Sequence, residues 1–339
     1  MILPFLLPLA LPAEGTLVVL NKSDNTASLV AAASGEVFAT LPTGEGPHEV
    51  AISPDGGRAF VANYGRQSAG RSLTVLDLAA KKVEATWTFE NWSRPHGLAL
   101  SADGDRLYVT SEGSKTLEVV DAASGKGIAS LPTNAEVSHM VVLSPSAGRA
   151  FVANIGSGSV SVFDLENAER LAVVPTGRGA EGIAVTPDGR EVWVGNRAAD
   201  TLSVIDAASL EVAATIPAAS FPIRVAITPD GKTALVSLAR SGEVAFFSVA
   251  ERKEAGRVAM PAEGGEGEGR IFGGQFGKSP VPVGLLVTPD GKEAFVACTQ
   301  SDQIFAIDLA SKKVVREIRA GREPDGLGFA AAAKGPGGK

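Results

Sequence analysis

The sequence predicts an all-β fold built from seven similar units that close into a ring. One stretch, PHEVAISPDGGRAFVAN from Pro47, returns in variant form from Pro95, Ser138, Ala180, Pro222 and Pro282. The second residues of these copies, called marker residues here, follow one another at steps of 48, 43, 42, 42 and 60 residues, and a partial copy places Asp325 42 residues further on. A period near 42 residues with short alternating strands is typical of propeller blades. We therefore predict a seven-bladed β-propeller with four-stranded antiparallel blades.

The first unit shows how each blade is built. EVAIS is an apolar strand, and PDGG is a tight turn in which Pro presets φ and Gly accepts a positive φ. RAFVAN, SLTVLD and VEATWTF supply the second, third and fourth strands, and Asp77 caps the turn before the fourth. Equivalent aspartates recur at Asp121, Asp164, Asp206 and Asp308.

The two ends of the chain are expected to share the seventh blade. The segment from Gly15 has the second, third and fourth strands but no first, whereas the C-terminal PDGLGFA has a first strand only. Joining them closes the ring and removes the exposed sheet edges that promote aggregation. This predicts one domain over residues 14–330, followed by a disordered tail at 331–339.

Residues 1–13 form an apolar run that ends in Pro12-Ala13 and resembles an export signal. The run is too short to span a bilayer as a helix, so we expect no transmembrane segment. The sequence favours export to the periplasm, the cell surface or the medium, and an apolar tail packed on the domain is the alternative.

Composition excludes several classes of site. A net charge of −7 without a basic run argues against a nucleic-acid binder. Cys298 is the single cysteine, which excludes an intramolecular disulfide, a cysteine-rich zinc site and a CxxCH haem attachment. We expect a monomer.

The units resemble the YVTN-type β-propeller repeat. The resemblance rests on the P-x-G…S/T-P-D-G pattern and on Tyr108–Ser111, Phe151–Asn154 and Val204–Asp206, and it covers residues 15–330. It implies a seven-bladed propeller of the kind found in surface-layer and other exported proteins. Related propellers include lactonases, so the resemblance does not decide between a binding protein and an enzyme.

Added loop length falls on one face of the predicted ring. The insertions are RQSAGR after the second strand of the first unit, the stretch 90–94, and a Gly-rich segment at 262–279. In a four-stranded meander these connections emerge on the same side, and loops on rigid scaffolds carry recognition. We therefore expect a protein or small-molecule ligand to bind at this loop-rich face, around the mouth of the central channel.

The three histidines of the chain are all marker residues. Around the ring, Asp325, His48, His96, His139 and Glu181 follow one another, and Ile223 and Val283 complete it. Converging imidazoles with a carboxylate suit Zn, Cu or Fe, which makes His48, His96, His139 and Glu181 a candidate metal site. Alternatively, each His bonds the backbone of a neighbouring blade without convergence, or the three act as acid–base groups.

Other candidates lie near the markers. Arg94, Arg178 and Arg322 precede them and could hold an anionic ligand, although solvated arginines are the simpler interpretation. Asp325 is a further candidate ligand-binding residue. Trp92 could be a binding aromatic, whereas Trp87 and Trp193 fit core strands. The insertion at 262–279, with Ile271, Phe272 and Phe276, is either a mobile loop or a lid over the channel.

These observations predict an exported binding or interaction module that acts through its loop-rich face. The alternative is a metal-dependent hydrolase, similar to the lactonases, or an oxidoreductase that uses the histidines.

Overall fold

The computed structural model describes residues 14–144, 148–265 and 269–332. Residues 1–13, and with them the predicted export signal, lie outside the described part. Within that part the chain forms strands and turns without any helix, arranged as seven four-stranded sheets. The predicted seven-bladed propeller is therefore confirmed. Among the described residues there is consequently no helix with the length and apolar character needed to cross a bilayer.

Blades are numbered by their marker residues, from blade 1 with His48 to blade 7 with Asp325. The closing blade 7 contains β1 (Gly15–Asn21), β2 (Thr26–Ala31), β3 (Val37–Pro42) and the last strand, β28 (Pro324–Ala331). Blades 1 to 3 contain β4 (Pro47–Ile52), β5 (Arg58–Gly65), β6 (Ala69–Asp77), β7 (Lys82–Thr88); β8 (Pro95–Leu100), β9 (Arg106–Ser111), β10 (Thr116–Asp121), β11 (Gly127–Pro132); and β12 (Ser138–Ser144), β13 (Arg149–Asn154), β14 (Ser159–Asp164), β15 (Glu169–Pro175). Blades 4 to 6 contain β16 (Ala180–Val185), β17 (Glu191–Asn196), β18 (Thr201–Asp206), β19 (Val212–Pro217); β20 (Pro222–Ile227), β21 (Thr233–Leu238), β22 (Glu243–Ser248), β23 (Lys253–Ala259); and β24 (Pro282–Val287), β25 (Glu293–Cys298), β26 (Gln303–Asp308), β27 (Lys313–Ile318).

The ring closes through the two ends of the chain. Strand β28 pairs antiparallel with β1, in a register that places Gly15 opposite Ala331 and Val19 opposite Leu327. The last strand reaches Ala331, one residue beyond the predicted domain boundary, and 333–339 lie outside the described residues. With this pairing every blade has its first strand, as the repeat pattern predicted.

The core lies between blades. Trp193 of blade 4 is fully buried and packs in one cluster with Val236 and Phe247 of blade 5. The outermost strands alternate between half-buried and exposed residues, as β7 does along its whole length. Each blade therefore depends on its neighbours for burial of its apolar faces, as expected of a repeat architecture.

The turns on the face opposite the histidines have a fixed length for a local reason. In blade 1 the amide of Gly56, at φ 72°, donates to Ser53 O at 2.8 Å, and the amide of Gly57 donates to Asp55 Oδ1 at 2.9 Å. The corresponding glycine bond recurs at Gly104, Gly189, Gly231 and Gly291. The Ser/Thr-Pro-Asp-Gly type of sequence therefore forms the same turn, with the same length, in successive blades. This keeps the first strands at the same height along the axis of the ring.

Candidate functional site

A bulge at the start of each first strand aims the marker side chain. In blade 1 Pro47 pairs with Asn63 and Val50 with Val61, so His48 and Glu49 lie together in a bulge. The same register shift occurs at the start of the first strand in the other six blades. Bulges re-aim side chains, and here they bring the markers of neighbouring blades together at the mouth of the channel.

The three imidazoles contact one another. The ring centroids of His96 and His139 are 3.4 Å apart in a stacked arrangement, and those of His48 and His96 are 4.1 Å apart. His48 and His139 flank this central ring at a separation of 6.1 Å. The histidines therefore converge, instead of diverging to the backbones of separate blades.

His96 is the central ring and the least satisfied one. Its exposed fraction is 0%, and neither Nδ1 nor Nε2 has a hydrogen-bond partner within the described chain. Burial, followed by the nearby His139 and His48, holds the pKa of His96 well below its usual value, so the ring is neutral. An unsatisfied buried donor or acceptor costs about 1–3 kcal/mol. A missing partner is therefore expected at this ring.

His139 lies between two carboxylates. Its Nδ1 contacts Glu112 Oε1, and its Nε2 lies 3.2 Å from Glu181 Oε1. Burial alone would lower the pKa of His139, but the bonds to Glu112 and Glu181 and their charges raise it overall. Burial likewise opposes ionisation of Glu181, yet His139, Arg197 and Arg224 lower its pKa to about 2. These contacts favour the protonated form of His139.

His48 lies between an amine and a carboxylate. Its Nδ1 is 2.9 Å from Asp325 Oδ2, and its Nε2 contacts Lys22 Nζ. Lys22 Nζ is also 3.3 Å from Asp325 Oδ2. Burial and then the charge of Lys22 lower the pKa of His48, and burial also lowers the pKa of Lys22. The pKa of Asp325 is depressed despite its burial, because His48 and Lys22 stabilise its charge.

Two charged residues occupy the channel where most blades have glycine. Glu49 and Arg224 directly follow their markers; the equivalent residues are Gly97, Met140, Gly182, Gly284 and Gly326. Arg224 bonds Glu49 through Nη2 and lies 3.3 Å from Glu181 Oε1 through Nη1, so it joins blade 5 to blades 1 and 4. The sequence shows that these two positions differ from the glycine of the other blades. It does not show that their side chains face the channel axis, which is what gives them a role in the site.

A second set of site residues lies at the ends of the second strands. The equivalent position in blades 7, 1, 2 and 4 holds Lys22, Tyr64, Glu112 and Arg197, with Tyr64 inside β5 and the others directly after their strands; the remaining blades have Ile155, Ala239 and Thr299. Tyr64 Oη donates to Glu112 Oε2 at 2.6 Å, and Arg197 bonds Glu181. Sequence reasoning missed these four residues. Comparing the position sixteen residues after each marker would have found Tyr64, Glu112 and Arg197, and Lys22 follows Asn21 as Arg197 follows Asn196.

The charged side chains of this His-rich half of the mouth are paired. Four carboxylates face three basic side chains and His139; they are Glu49, Glu112, Glu181 and Asp325 against Lys22, Arg197 and Arg224. Each of these carboxylates therefore has a basic partner. Pairing matters because uncompensated buried charge is costly.

The other predicted ligand-binding residues are distributed unevenly. Arg94 lies at the rim with its guanidinium carbon 4.9 Å from the centre of the Tyr64 ring. Arg178 and Arg322 are exposed; the first donates to Ala198 O, and the backbone of the second donates to Asp24. Trp92 is 9% exposed and stacks on Phe89 at 3.7 Å between ring centres, within the core between blades 1 and 2. Of these residues, only Arg94 and Asp325 reach the histidine cluster.

The described part of the insertion, 262–265 and 269–279, covers the other half of the mouth. Phe272 and Phe276 pack against a buried apolar cluster that contains the markers Ile223 and Val283. Arg270 forms a two-pronged ion pair with Asp302 at 3.0 and 2.6 Å, and the amide of Ile271 donates to Glu323 Oε1 at 2.7 Å. The segment is seated as a lid on the apolar half and leaves the His-rich half to the loops of blades 7, 1 and 2.

Two groups of side chains in the described chain have the donors and spacing for a metal ion. One comprises His96, Glu112 and His139, the other His48, Glu49 and His96, and the donor atoms of each group lie within 4.8 Å of one another. Imidazole nitrogen with carboxylate oxygen suits Zn, Cu, Fe or Ni. His96 belongs to both groups.

The fold and this site define the chain as a seven-bladed β-propeller with a His-rich channel mouth. A family model described as the cytochrome D1 heme domain matches residues 101–260, slightly less than half of the chain. The matched region contains His139 and Glu181 but neither His48 nor His96. No curated protein matches the chain.

Several solved structures resemble it. A chain of Kuenenia stuttgartiensis hydrazine synthase is 21% identical with a TM-score of 0.70, over 84% of this chain and 92% of that one. A functionally unknown protein from Desulfotomaculum acetoxidans is 13% identical with a TM-score of 0.78, over 94% and 99%. The dihydro-heme d1 dehydrogenase NirN, in complex with DHE, is 19% identical with a TM-score of 0.64, over 96% and 78%. At these identities the similarity shows the propeller fold alone.

Proposed function

We propose that this protein is a binding propeller that holds a transition-metal ion in the His-rich half of its channel mouth. The ligands are His96, His139 and Glu112, with His48 as the nearest further donor. The single observation that carries the proposal is His96, a fully buried ring whose two nitrogens lack partners among the described residues. Buried polar groups are normally satisfied, and a metal ion supplies the partner that the described protein groups do not.

The surroundings of this group favour an ion. Tyr64 orients Glu112 at 2.6 Å, and the Arg197 bond fixes Glu181 beside His139. Such outer contacts are typical of metal ligands.

Metal binding would depend on pH. A ligand must be deprotonated before it binds a metal, and the contacts with Glu112 and Glu181 raise the pKa of His139. His139 would therefore have to lose its proton before it could hold an ion.

The comparisons raise a second cofactor class, a haem-type macrocycle. Imidazole suits iron, but the enclosure of the three rings does not suit a macrocycle. Among the described residues, His48, His96 and His139 are only 9%, 0% and 7% exposed, so none of them faces the open space that a macrocycle needs. A single ion needs far less room, so the residues fit a bare ion better than a haem. Because the similar structures include proteins named for redox chemistry, we favour copper or iron over zinc.

Export and the YVTN-type assignment belong to the same proposal. An extracytoplasmic metal-binding propeller agrees with the signal-like residues 1–13 and with the repeat motifs. Hydrolase or oxidoreductase activity would require, in addition, an open coordination position at the bound ion.

The test is metal analysis of protein purified without a histidine tag. We expect about one tightly bound transition-metal ion per chain of wild type. His96→Ala and His139→Ala should bind it at least 100-fold more weakly and lose it on purification, while their circular dichroism spectra remain those of a β protein. Arg178→Ala, at an exposed rim position, is the control and retains the ion. Haem titration should give no shifted absorption band. A metal-free wild type, or a haem band that depends on the histidines, would overturn the proposal.

A further inference from the structure

The insertion is attached to the apolar half of the mouth by contacts that a separate peptide could also make. Residues 271–278 form turns whose backbone bonds are local, such as that from Gly273 N to Arg270 O at 3.1 Å. Within the described residues this stretch pairs with no strand of a blade. Contacts that involve side chains therefore hold it in place, and segments held in this way open at a low free-energy cost.

The propeller presents a polar socket to the arginine of the insertion. This socket consists of Asp302, Thr299 and Glu323. Arg270 Nη1 donates to Thr299 O at 3.1 Å, and the guanidinium pairs with the Asp302 carboxylate at 3.0 and 2.6 Å. Contacts within the propeller hold the socket, since the amide of Glu323 donates to Asp302 Oδ1 at 2.9 Å and Ser23 Oγ donates to Glu323 Oε2. Its acceptors all belong to the propeller, and a two-pronged carboxylate contact selects arginine.

An apolar floor adjoins the socket, because the amide of Thr299 donates to Val281 O at 3.0 Å. Phe272 and Phe276 pack on this floor, and the centre of the Phe276 ring is 5.0 Å from that of Phe221. Without these rings the floor would be an apolar patch at the mouth. Its residues are at most 3% exposed; they are Ile223, Ala239, Val281 and Val283.

We propose that the socket and the floor bind a segment of a partner protein, and that the insertion occupies them in its absence. The partner segment has an arginine followed two residues later by an aromatic residue, the spacing of Arg270 and Phe272. The other blades are joined without such an insertion, so closure of the ring does not require it. A net charge of −7 favours a basic partner over a second copy of this chain. The inference does not depend on the proposed metal ion.

The insertion is then a tethered competitor of the partner. A segment on a short flexible tether has an effective concentration of millimolar order. A partner at a lower concentration binds only the fraction of molecules whose insertion is released, and its apparent affinity is reduced by that fraction. Removing the side chains that seat the insertion should therefore strengthen the binding of a partner segment, because the socket and the floor stay unchanged.

The test is a titration of the full-length protein with a fluorescent peptide of residues 269–279, GRIFGGQFGKS. Wild type is compared with a released variant that carries Arg270→Ala, Phe272→Ala and Phe276→Ala. A glutamate-specific protease should cleave the insertion of the released variant faster than that of wild type. We expect the released variant to bind the peptide at least tenfold more tightly than wild type does. A peptide with alanine in place of its arginine should bind the released variant at least tenfold more weakly.

Matched variants of the propeller assign the contact. Asp302→Asn, added to the released variant, should weaken peptide binding at least tenfold, whereas Glu45→Gln, at an exposed position in the connection between blades 7 and 1, should leave it unchanged. Equal peptide affinity in wild type and the released variant, equal cleavage rates, or binding that ignores the arginine of the peptide would each overturn the proposal. A wild-type dimer in sedimentation that Arg270→Ala converts to a monomer would mean that a second copy is the occupant, which overturns the partner.

Discussion

Removing Arg224 should destabilise the propeller strongly, because this guanidinium holds the charged channel together. It contacts Glu49 and Glu181 and lies 4.0 Å from Asp325, and its side chain is 6% exposed. Arg224→Ala leaves these carboxylates buried without their shared cation. Removing one partner of a buried ion pair typically costs about 3–5 kcal/mol.

The size of the thermal effect follows from the size of the domain. An unfolding entropy of about 2.1 cal/mol/K per residue over 339 residues amounts to about 0.7 kcal/mol/K. A loss of about 3–5 kcal/mol then lowers Tm by about 4–7 °C. Differential scanning calorimetry of the metal-free protein at pH 7 measures this shift without interference from a bound ion.

The loss of stability in Arg224→Ala should also depend on pH, and it should be larger at neutral pH than in acid. Glu181 has a folded pKa of about 2, below its ordinary value of 4.5, so its stabilising contribution is present above pH 4.5 and is lost as the pH falls towards 2. Once the carboxylates of the variant are protonated, the missing cation no longer matters. The Tm difference between wild type and Arg224→Ala should therefore shrink between pH 5 and pH 3.

The control is Arg190→Ala, since Arg190 pairs with Asp188 at an 84% exposed side chain and such pairs contribute little. We expect its Tm to stay within about 1 °C of wild type. If Arg224→Ala melts within 1 °C of wild type, or if its deficit is the same at pH 7 and pH 3, the channel is not held by this charge network and the reasoning is wrong.

Two further outcomes test the site and the insertion. Glu181→Gln removes one of the carboxylates that raise the pKa of His139. The ratio of the metal affinity at pH 6 to that at pH 8.5 should therefore be higher in this variant than in wild type. An unchanged ratio would show that His139 does not release a proton when the metal binds. Arg270→Ala removes the ion pair with Asp302. A hydrogen bond to a charged group contributes roughly 1.5–3 kcal/mol, so a glutamate-specific protease should cleave the insertion of this variant about tenfold faster than that of wild type. Lys278→Ala, whose pair with Glu263 is exposed, should leave the cleavage rate unchanged, and equal rates in both variants would rule out an anchored lid.

The positions of the strands were predictable because their determinants are local. Apolar alternation marks the strands, the Ser/Thr-Pro-Asp-Gly turn fixes their spacing, and the unmatched segments at the two ends of the chain required β28 to pair with β1. The candidate site was predictable only in part. His48, His96, His139, Glu181 and Asp325 could be identified because they occupy one repeated position.

Their partners could not be identified from that position alone. Lys22 reaches His48 from the adjacent blade 7, and Glu112 reaches His139 from the preceding blade. Trp92 is an example of a wrong candidate. Its place in a lengthened loop suggested a ligand-binding aromatic, but it stacks on Phe89 within the core. Long-range contacts of this kind depend on which side chains the blades turn towards one another.

The sequence alone determined the number of blades, their order, the closure of the ring and the concentration of histidines at one repeated position. Only the tertiary structure decided that the three imidazoles converge, that His96 is buried without a partner among the described residues, and that carboxylates and basic side chains pair around this cluster. The physical reason is one of range. Turn chemistry and strand periodicity act over a few residues, whereas the direction of a side chain at the channel axis is set by a bulge and by the packing of blades far apart in the chain.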